Sequence, residues 1–274
     1  MELKTLIQQA YREHFAIGAF NVYNLETVLA VADASIKAKS PVILQASEKA
    51  LDYAGFDQLT GIIKRLQLES GAPIFLHLDH GRDINIVKRC IQDRFDSVMY
   101  DGSHLPMEEN VEISKSLRKL AARRNVVFES EIGRVGGSED RITALNFKTS
   151  PEQALEYYEA VQPDMLAVAI GNIHGELTAQ EQLDFTLLAK ISESLKCPLV
   201  LHGCSNRAER EYRVAIAEGV VKINIDTELR QAFVEGIKRS LHKREKDPRE
   251  ILTSAKNEMA KQVESKIEIF SKSC

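Results

Sequence analysis

An α/β chain folded as a (β/α)8 TIM barrel, with an extra N-terminal helix and a C-terminal helical extension, is what this sequence predicts. Three observations predict it. Short apolar runs rich in β-branched residues alternate with longer helical patterns, eight such units follow one another without a break in composition, and the polar residues of the strand-like runs gather at one end. The 274 residues suit one barrel domain over 1–274, with the helical extension from about residue 247, since such a barrel takes ~250 residues.

The opening MELKTLIQQAYREH reads as an amphipathic helix without the features of a secretory signal. The strand-like runs are IGAFNV (17–22), PVILQAS (41–47), PIFLHLDH (73–80), SVMYDGS (97–103), VVFESEIG (126–133), MLAVAIGN (165–172), PLVLHGCS (198–205) and VVKINIDT (220–227). Their near-continuous hydrophobicity suits parallel strands covered on both faces. Alternation alone also permits a doubly wound open sheet. Between the runs lie helical segments such as LETVLAVADASIKAK and MEENVEISKSLRKLAARR, and SPEQALEYYEAV carries its own start signal in Ser150 as N-cap and Pro151 in the first turn. PREILTSAKNEMAKQVESKIEIF follows the eighth unit as a further amphipathic helix. One connection breaks the pattern: RVGGSEDRITALNFKT (134–149) far exceeds the ~2–6 residues usual between strand and helix. A solvated surface loop would explain its composition, but in a barrel it lies at the C-terminal strand ends, where active sites are built.

Composition narrows the function. Net charge is −4, with Lys and Arg spread along the helical segments, which argues against a nucleic-acid or polybasic membrane surface. No apolar run approaches the ~20 residues of a membrane span. Cysteines at 90, 197, 204 and 274 show neither CxxC spacing nor a small secreted scaffold, so they read as reduced thiols and the expected location is cytoplasmic.

In a closed barrel the C-terminal strand ends share one rim. Those ends read Asn21, Ser47, Asp79-His80, Asp101, Glu131, His174, His202 and Asn224 to Asp226, whereas the N-terminal ends read Ile17, Pro41, Pro73, Ser97, Val126, Met165, Pro198 and Val220. Buried polar groups need partners, and a set this rich in His, Asp and Glu is most easily satisfied by a metal. A lone histidine here would be a satisfied structural one. Three His-Gly pairs, at 80, 174 and 202, in a chain with seven His and 14 Gly instead fit a zinc site of three protein ligands and an open fourth position. His77 is expected beneath that site. Gly175, Gly203 and Ser205 follow two of these histidines, and NIDT (224–227) joins strand eight to a helix whose first N–H groups can receive a phosphate; Asp226 or Thr227 could equally be a simple N-cap.

At these residues the sequence closely resembles the class II, metal-dependent ketose-bisphosphate aldolases, the family of fructose- and tagatose-bisphosphate aldolases. The likeness runs through AFNVYN, SPVILQAS, LDHG, SVMYDGSHLPMEENV, ESEIGRVGGSED, LAVAIGNIHG, LHGCS and VVKINIDTELR. It implies zinc on His80, His174 and His202, with Asp101 and Glu131 as carboxylates of an alternative, more buried metal position, and it admits a monovalent cation as well. It implies Asp79 as proton donor to the aldehyde oxygen and Glu139, in the long loop, as the acid that moves the proton at carbon. Gly175, Gly203, Ser205, Asn224, Asp226 and Thr227 match the binding site for dihydroxyacetone phosphate, and Asn21 and Ser47 match polar positions facing the substrate. The implied partner is a small phosphorylated sugar, a ketose 1,6-bisphosphate or a related phosphorylated ketose or deoxy sugar, and the implied assembly a homodimer or homotetramer. Two departures stand out. The usual HG-G/A-SG reads His202-Gly203-Cys204-Ser205-Asn206, followed by RAERE in place of a Pro-containing turn, and the base for the far phosphate is unassigned, with Lys256 in the tail helix a candidate.

Rival readings are an aldolase with Lys222 as imine-forming nucleophile, a barrel metallohydrolase, and a metal-binding regulatory relative without turnover. The first leaves three histidines unexplained. The second does not account for the phosphate-cradle glycines, and the third for the presence of both Asp79 and Glu139.

Overall fold

Eight short parallel strands close on themselves in the computed structural model, which describes residues 2–139, 142–144, 148–175 and 182–271, with backbone alone for 137–139 and 142–144. In chain order the elements are α1 (Leu3–Glu13), β1 (Ile17–Asn21), α2 (Leu25–Ala38), β2 (Val42–Ser47), α3 (Glu48–Ala54), α4 (Phe56–Glu69), β3 (Ile74–Gly81), α5 (Ile84–Gln92), β4 (Ser97–Tyr100), α6 (Met107–Arg123) and β5 (Val127–Ile132). They continue with β6 (Gly136–Glu139), β7 (Ile142–Ala144), α7 (Pro151–Val161), β8 (Met165–Val168), β9 (Ile173–His174), α8 (Phe185–Ser194), β10 (Leu199–Leu201), α9 (Glu209–Ala217), β11 (Val220–Ile225), α10 (Thr227–His242) and α11 (Pro248–Phe270). The barrel order is β1-β11-β10-β8-β5-β4-β3-β2, all pairs parallel, which removes every edge and rules out the open sheet.

Strand periodicity divides the core in two. Residues facing out of the barrel, such as Val42, Leu44, Leu76 and Leu78, pack against the helices. Residues facing in at the N-terminal half, including Ile17, Ile43, Phe75, Met99, Val127, Met165 and Val200, meet Leu3, Leu6, Ile7 and Ala10 of α1. The first helix therefore stoppers the barrel floor, each of its buried leucines contributing about 1.5–3 kcal/mol. Above that apolar floor the same inward positions turn polar.

The expected helix starts are present. Ser150 Oγ accepts from Gln153 N with Pro151 at the first position of α7, and Asp247 caps α11 in the same way through Arg249 N. Helix α11 buries Ala255, Met259, Val263, Ile267 and Phe270 and lies across α10 and α2. No helix among the described residues is long and apolar enough to cross a membrane.

The structure departs from the expectation at two connected places. The sixth barrel strand ends at Val168, not at His174; the chain turns through Gly171 (φ 101°) and reaches His174 on the separate strand β9. The long connection after β5 is not a plain loop. Its strands β6 and β7 form an antiparallel hairpin, and β6 pairs with β9 through Gly136 to Ile173 and Gly137 to His174.

Candidate active site

Ligand atoms of His80, His174 and His202 all lie within 4.8 Å of one another, as do those of His80, Asp101 and Glu131. Ring centroids stand 4.4 Å apart for His80 and His202, 5.0 Å for His80 and His174, and 6.2 Å for His174 and His202. Three separate pieces of backbone bring them there. His80 ends β3 with a positive φ of 46°, a conformation that is costly for a side chain bearing a Cβ and turns the ring back over the barrel mouth. His202 follows β10, and His174 arrives on β9. Asn172 holds the last two together, donating from Nδ2 to His202 O (2.9 Å) while its Oδ1 accepts from Ile170 N (2.7 Å).

The protonation pattern follows from the partners. His202 Nε2 is 2.9 Å from Glu129 Oε1, a carboxylate that only accepts, so the proton sits on Nε2. Its Nδ1 then presents a lone pair to the mouth, approached by Asn224 Nδ2 at 3.0 Å and His80 Nε2 at 2.8 Å. Burial first, and the His80 charge second, hold the His202 imidazole well below its ordinary pKa. His80 moves the other way: burial opposes its charge, but Asp79, Asp101 and Glu131 outweigh that and hold it well above the ordinary value. Asp101 is buried too, yet the hydrogen bond and charge of His80 together with Arg82 keep it well below the carboxylate range. Arg82 donates to Asp101 Oδ2 from Nε (2.8 Å) and Nη2 (2.6 Å), and Ser103 donates to Oδ1. Glu131 is pushed up to about 8 by burial and then by the Asp101 charge, and its buried Oε2 has no hydrogen-bond partner.

This donor set fits a divalent cation. A lone pair on His202 Nδ1, a proton shared between two imidazoles and a buried carboxyl oxygen without a hydrogen bond are what such an ion would satisfy, and the His80 proton is what it would displace. The outer partners Glu129 and Asp101 orient His202 and His80 as carboxylates behind ligating histidines commonly do.

Beside the imidazoles, Asp79 is held by three neutral amides. Its Oδ2 accepts from Asn21 Nδ2 (2.9 Å) and Gln45 Nε2 (3.2 Å), and Oδ1 accepts from Asn224 Nδ2 (3.1 Å). Asn21 thus orients Asp79, in addition to lining the mouth. Ser47 Oγ accepts from Ala50 N as the N-cap of α3, and Ser47 lines a cavity of about 290 Å³ with Asn21, Lys49, Tyr53, Asp226 and Arg230. On the other side, Gly175, Gly203, Ser205, Asn224, Asp226 and Thr227 surround a small recess together with His174. Asp226 is the N-cap position of α10 without a capping bond from its side chain; its N–H donates to Ser205 Oγ (3.2 Å) and its carboxylate pairs with Arg230 (2.8 Å). Thr227 opens α10 and lines the recess with Asp226, so the recess sits at a helix N-terminus, the kind of place that can receive an anion.

Gly203 is where the recess is tightest. Its φ is 57°, and a Cβ there would lie 2.2 Å from the backbone oxygen of Ile173 in β9. Gly203→Ala is expected to lower stability by about 1–3 kcal/mol and to push His174 off the other two imidazoles, weakening metal affinity. Urea unfolding and a metal titration of the variant check both. Asn206 also lies at positive φ (59°), a conformation asparagine adopts more readily than most residues.

Two expected residues stand apart. Lys256 pairs with Asp33 (2.7 Å) between α11 and α2 on the outer wall, away from the rim. Glu139 closes β6, opposite Ile142, and its side chain lies outside the described residues. Conversely, Gln45, Glu129 and Arg82 belong to the site without having been expected there, and Lys222, expected only as an imine-forming nucleophile in a rival reading, belongs to it as the ion-pair partner of Glu129. Gln45, Glu129 and Lys222 carry a readable signal: each lies two residues before a rim residue on its strand.

A model of the class II fructose-bisphosphate aldolases matches residues 1–273. The chain belongs to the class II fructose-bisphosphate aldolase family. Among curated relatives of this aldolase is the sulfofructosephosphate aldolase of Alkalicoccus urumqiensis, 37% identical and covering 97% of this chain and 95% of the relative. Among solved structures, the YdjI aldolase of Escherichia coli K12 superposes with a TM-score of 0.88 at 29% identity, covering 99% of this chain and 97% of that one. A crystal structure from Coccidioides immitis superposes at 0.92 with 30% identity, covering 99% and 96%. As a class II aldolase the protein is a lyase that acts on a phosphorylated ketose.

Proposed function

We propose that this aldolase reversibly cleaves a ketose 1-phosphate to dihydroxyacetone phosphate and a three-carbon aldehyde, with zinc on His80, His174 and His202. The observation that carries the reading is the convergence of three imidazole donors beside a carboxylate hydrogen-bonded by three neutral amides, next to a recess at the start of α10. When bound, the zinc ion supplies a Lewis acid for the ketone, the chemistry that lets a carbon next to it carry negative charge.

The protein's own groups do the rest. Gly203, Ser205, Asn224, Asp226 and Thr227, with Gly175, receive the phosphate at the start of α10. Asp79 takes the proton from the hydroxyl on the carbon that becomes the aldehyde as the carbon–carbon bond breaks, and returns it in condensation. Glu139, or a water it orients, supplies the proton to the three-carbon fragment left behind. The pairing of β6 with β9 couples the Glu139 segment to His174, which supports the two acting on one substrate. Asp101 and Glu131 give the metal its alternative position with His80.

For the sugar, a related phosphorylated ketose is favoured over a ketose 1,6-bisphosphate. The name of the Alkalicoccus relative makes a sulfofructose phosphate the leading candidate, and the departure at Cys204 and Asn206 from the family's usual loop agrees with an altered substrate. The cavity shared by Ser47, Lys49, Tyr53 and Arg230 joins the phosphate recess at Asn21 and Asp226 and supports a second anionic end there. The test is condensation of dihydroxyacetone phosphate by zinc-loaded protein with two aldehydes, one ending in a sulfonate and one, glyceraldehyde 3-phosphate, in a phosphate. A kcat/KM at least ~10-fold higher for the sulfonate is expected, the scale of one polar contact made or lost. The opposite ranking returns the substrate to fructose or tagatose bisphosphate, and no condensation with either removes the aldolase reading.

A further inference from the structure

The turn after His202 carries the phosphate recess, and its far side is held by a buried ionic cluster that the reaction does not use. Behind Gly203 the chain runs through Cys204, buried with its Sγ donating to His202 O (3.3 Å), to Asn206 in a left-handed conformation. Three backbone groups of this turn point away from the recess, and each has a side-chain partner. Tyr212 OH donates to Cys204 O (2.6 Å) and accepts from Arg207 N (3.3 Å), while Glu228 Oε1 accepts from Asn206 N (3.2 Å). Tyr212 belongs to α9 and Glu228 to the first turn of α10, so neither is part of the turn itself.

One cation joins them. Lys266, on the C-terminal helix α11, lies 3.0 Å from Glu228 Oε2 and 3.3 Å from Tyr212 OH, with its ammonium 4.8 Å from the Tyr212 ring centroid. Lys266 and Glu228 are each only 7% exposed, so neither charge has water to fall back on. An ammonium buried this far from the imidazoles, in a helix beyond the eighth barrel unit, calls for a reason.

We propose that Lys266 is a positioning residue for phosphate binding: through Glu228 and Tyr212 it clamps the Gly203–Arg207 turn so that the turn's recess-facing groups are ordered before substrate arrives. The inference rests on the phosphate reading of that recess. It also gives the altered sequence a purpose. With Cys204 and Asn206 in place of the family's smaller residues, the turn takes its rigidity from behind, and the C-terminal extension supplies the clamp. Without the ammonium, Glu228 would be an unpaired buried charge and would leave Asn206 N to reach water or a proton.

The experiment compares wild type, Lys266→Met, Lys266→Arg, Tyr212→Phe and the double variant Lys266→Met/Glu228→Gln. Three readouts are taken: hydrogen exchange of the Asn206 and Arg207 amides, binding of inorganic phosphate, and kcat and KM for condensation. In Lys266→Met the two amides are expected to exchange faster, and phosphate affinity and KM to worsen on the order of tenfold, as for a hydrogen-bonded buried group left unmatched. Kcat at saturation should fall less, and metal affinity should stay within threefold. Lys266→Arg should keep phosphate affinity. The double variant should recover part of what Lys266→Met loses, because a neutral Gln can still accept from Asn206 N. Tyr212→Phe, which keeps the buried ring, carries the same expectation should Lys266→Met fail to fold. Unchanged amide exchange and phosphate affinity within twofold in both Lys266→Met and Tyr212→Phe would overturn the clamp. Faster exchange in a protein whose wild type binds no phosphate would overturn instead the phosphate reading beneath it.

Discussion

Asp79→Asn is expected to lower kcat for cleavage and condensation by about 10²–10⁴-fold, the usual worth of a positioned acid–base group. The side chain ends in two oxygens that accept three amide N–H groups, from Asn21, Gln45 and Asn224. All three donors are neutral, so they orient the carboxylate without giving it a counter-ion, and lone pairs remain for a substrate hydroxyl. An amide in its place fits sterically but brings a donor where an acceptor was, and one of the neighbouring amides must flip. Asn21 can do so at some cost, because its own Oδ1 is already committed to Gln45 Nε2 at 2.6 Å. The loss should therefore appear in turnover, while metal content stays close to wild type, since Asp79 lies 4.0 Å from His202 Nδ1 and outside both ligand groups. Deuterium exchange at the reacting carbon of dihydroxyacetone phosphate separates the roles. Asp79→Asn should retain that exchange while losing carbon–carbon bond formation, whereas Glu139→Gln should lose the exchange as well. An Asp79→Asn enzyme with turnover within threefold of wild type would take Asp79 out of proton transfer.

The sequence made the rim legible because strand periodicity is exact in its consequence: Asn21, Asp79, Asp101, Glu131, His202 and Asn224 are all carried to one end by strands of known direction. The barrel followed from strand–helix alternation and the two terminal helices from their amphipathic patterns, while the place of α1 as the barrel floor came only with the structure. What it did not make legible depends on hydrogen bonds between distant segments. His174 looks like the end of a continuous strand in MLAVAIGNIHG, yet Asn172 bonds its own backbone at Ile170 and the carbonyl of His202, which turns the chain after Val168 and sends β9 to pair with β6. No local propensity encodes that pairing. The layer beneath the rim was within reach, however. Gln45 precedes Ser47 by two, His77 precedes Asp79, Glu129 precedes Glu131 and Lys222 precedes Asn224, so a period-two reading of polar residues, extended beyond His77, points to a polar layer under the three histidines. Ser47 is a different lesson: its hydroxyl caps α3 whatever else it touches, and a rim position alone did not reveal that.

That polar layer should dominate stability. Lys222→Met is expected to destabilise the protein by about 3–5 kcal/mol, the cost of leaving one member of a buried ion pair alone. Lys222 is 0% exposed, with Nζ 3.0 Å from Glu129 Oε2 and 2.7 Å from Asn224 Oδ1. Methionine fills nearly the same space, so packing changes little and the effect is electrostatic. Glu129 would keep the His202 Nε2 proton and the more distant His77 Nε2, 3.7 Å away, but burial and the Lys222 charge itself hold His77 well below its ordinary pKa. Loss of Lys222 removes one of the charges that oppose a proton on His77, but burial, the larger cause, stays in place. Adding Glu129→Gln should restore stability further, because a neutral amide can still meet His202. Thermal and urea unfolding of wild type and the two variants measure this directly, and a Lys222→Met cost below 1 kcal/mol would mean that the pair is not what holds Glu129. The same residue settles the imine alternative. An imine-forming lysine must reach a carbonyl, whereas this Nζ is buried and engaged by Glu129 and Asn224. Chelation should abolish turnover, and borohydride with dihydroxyacetone phosphate should leave Lys222 unmodified; a reduced adduct on Lys222 would overturn the metal mechanism in favour of the covalent one.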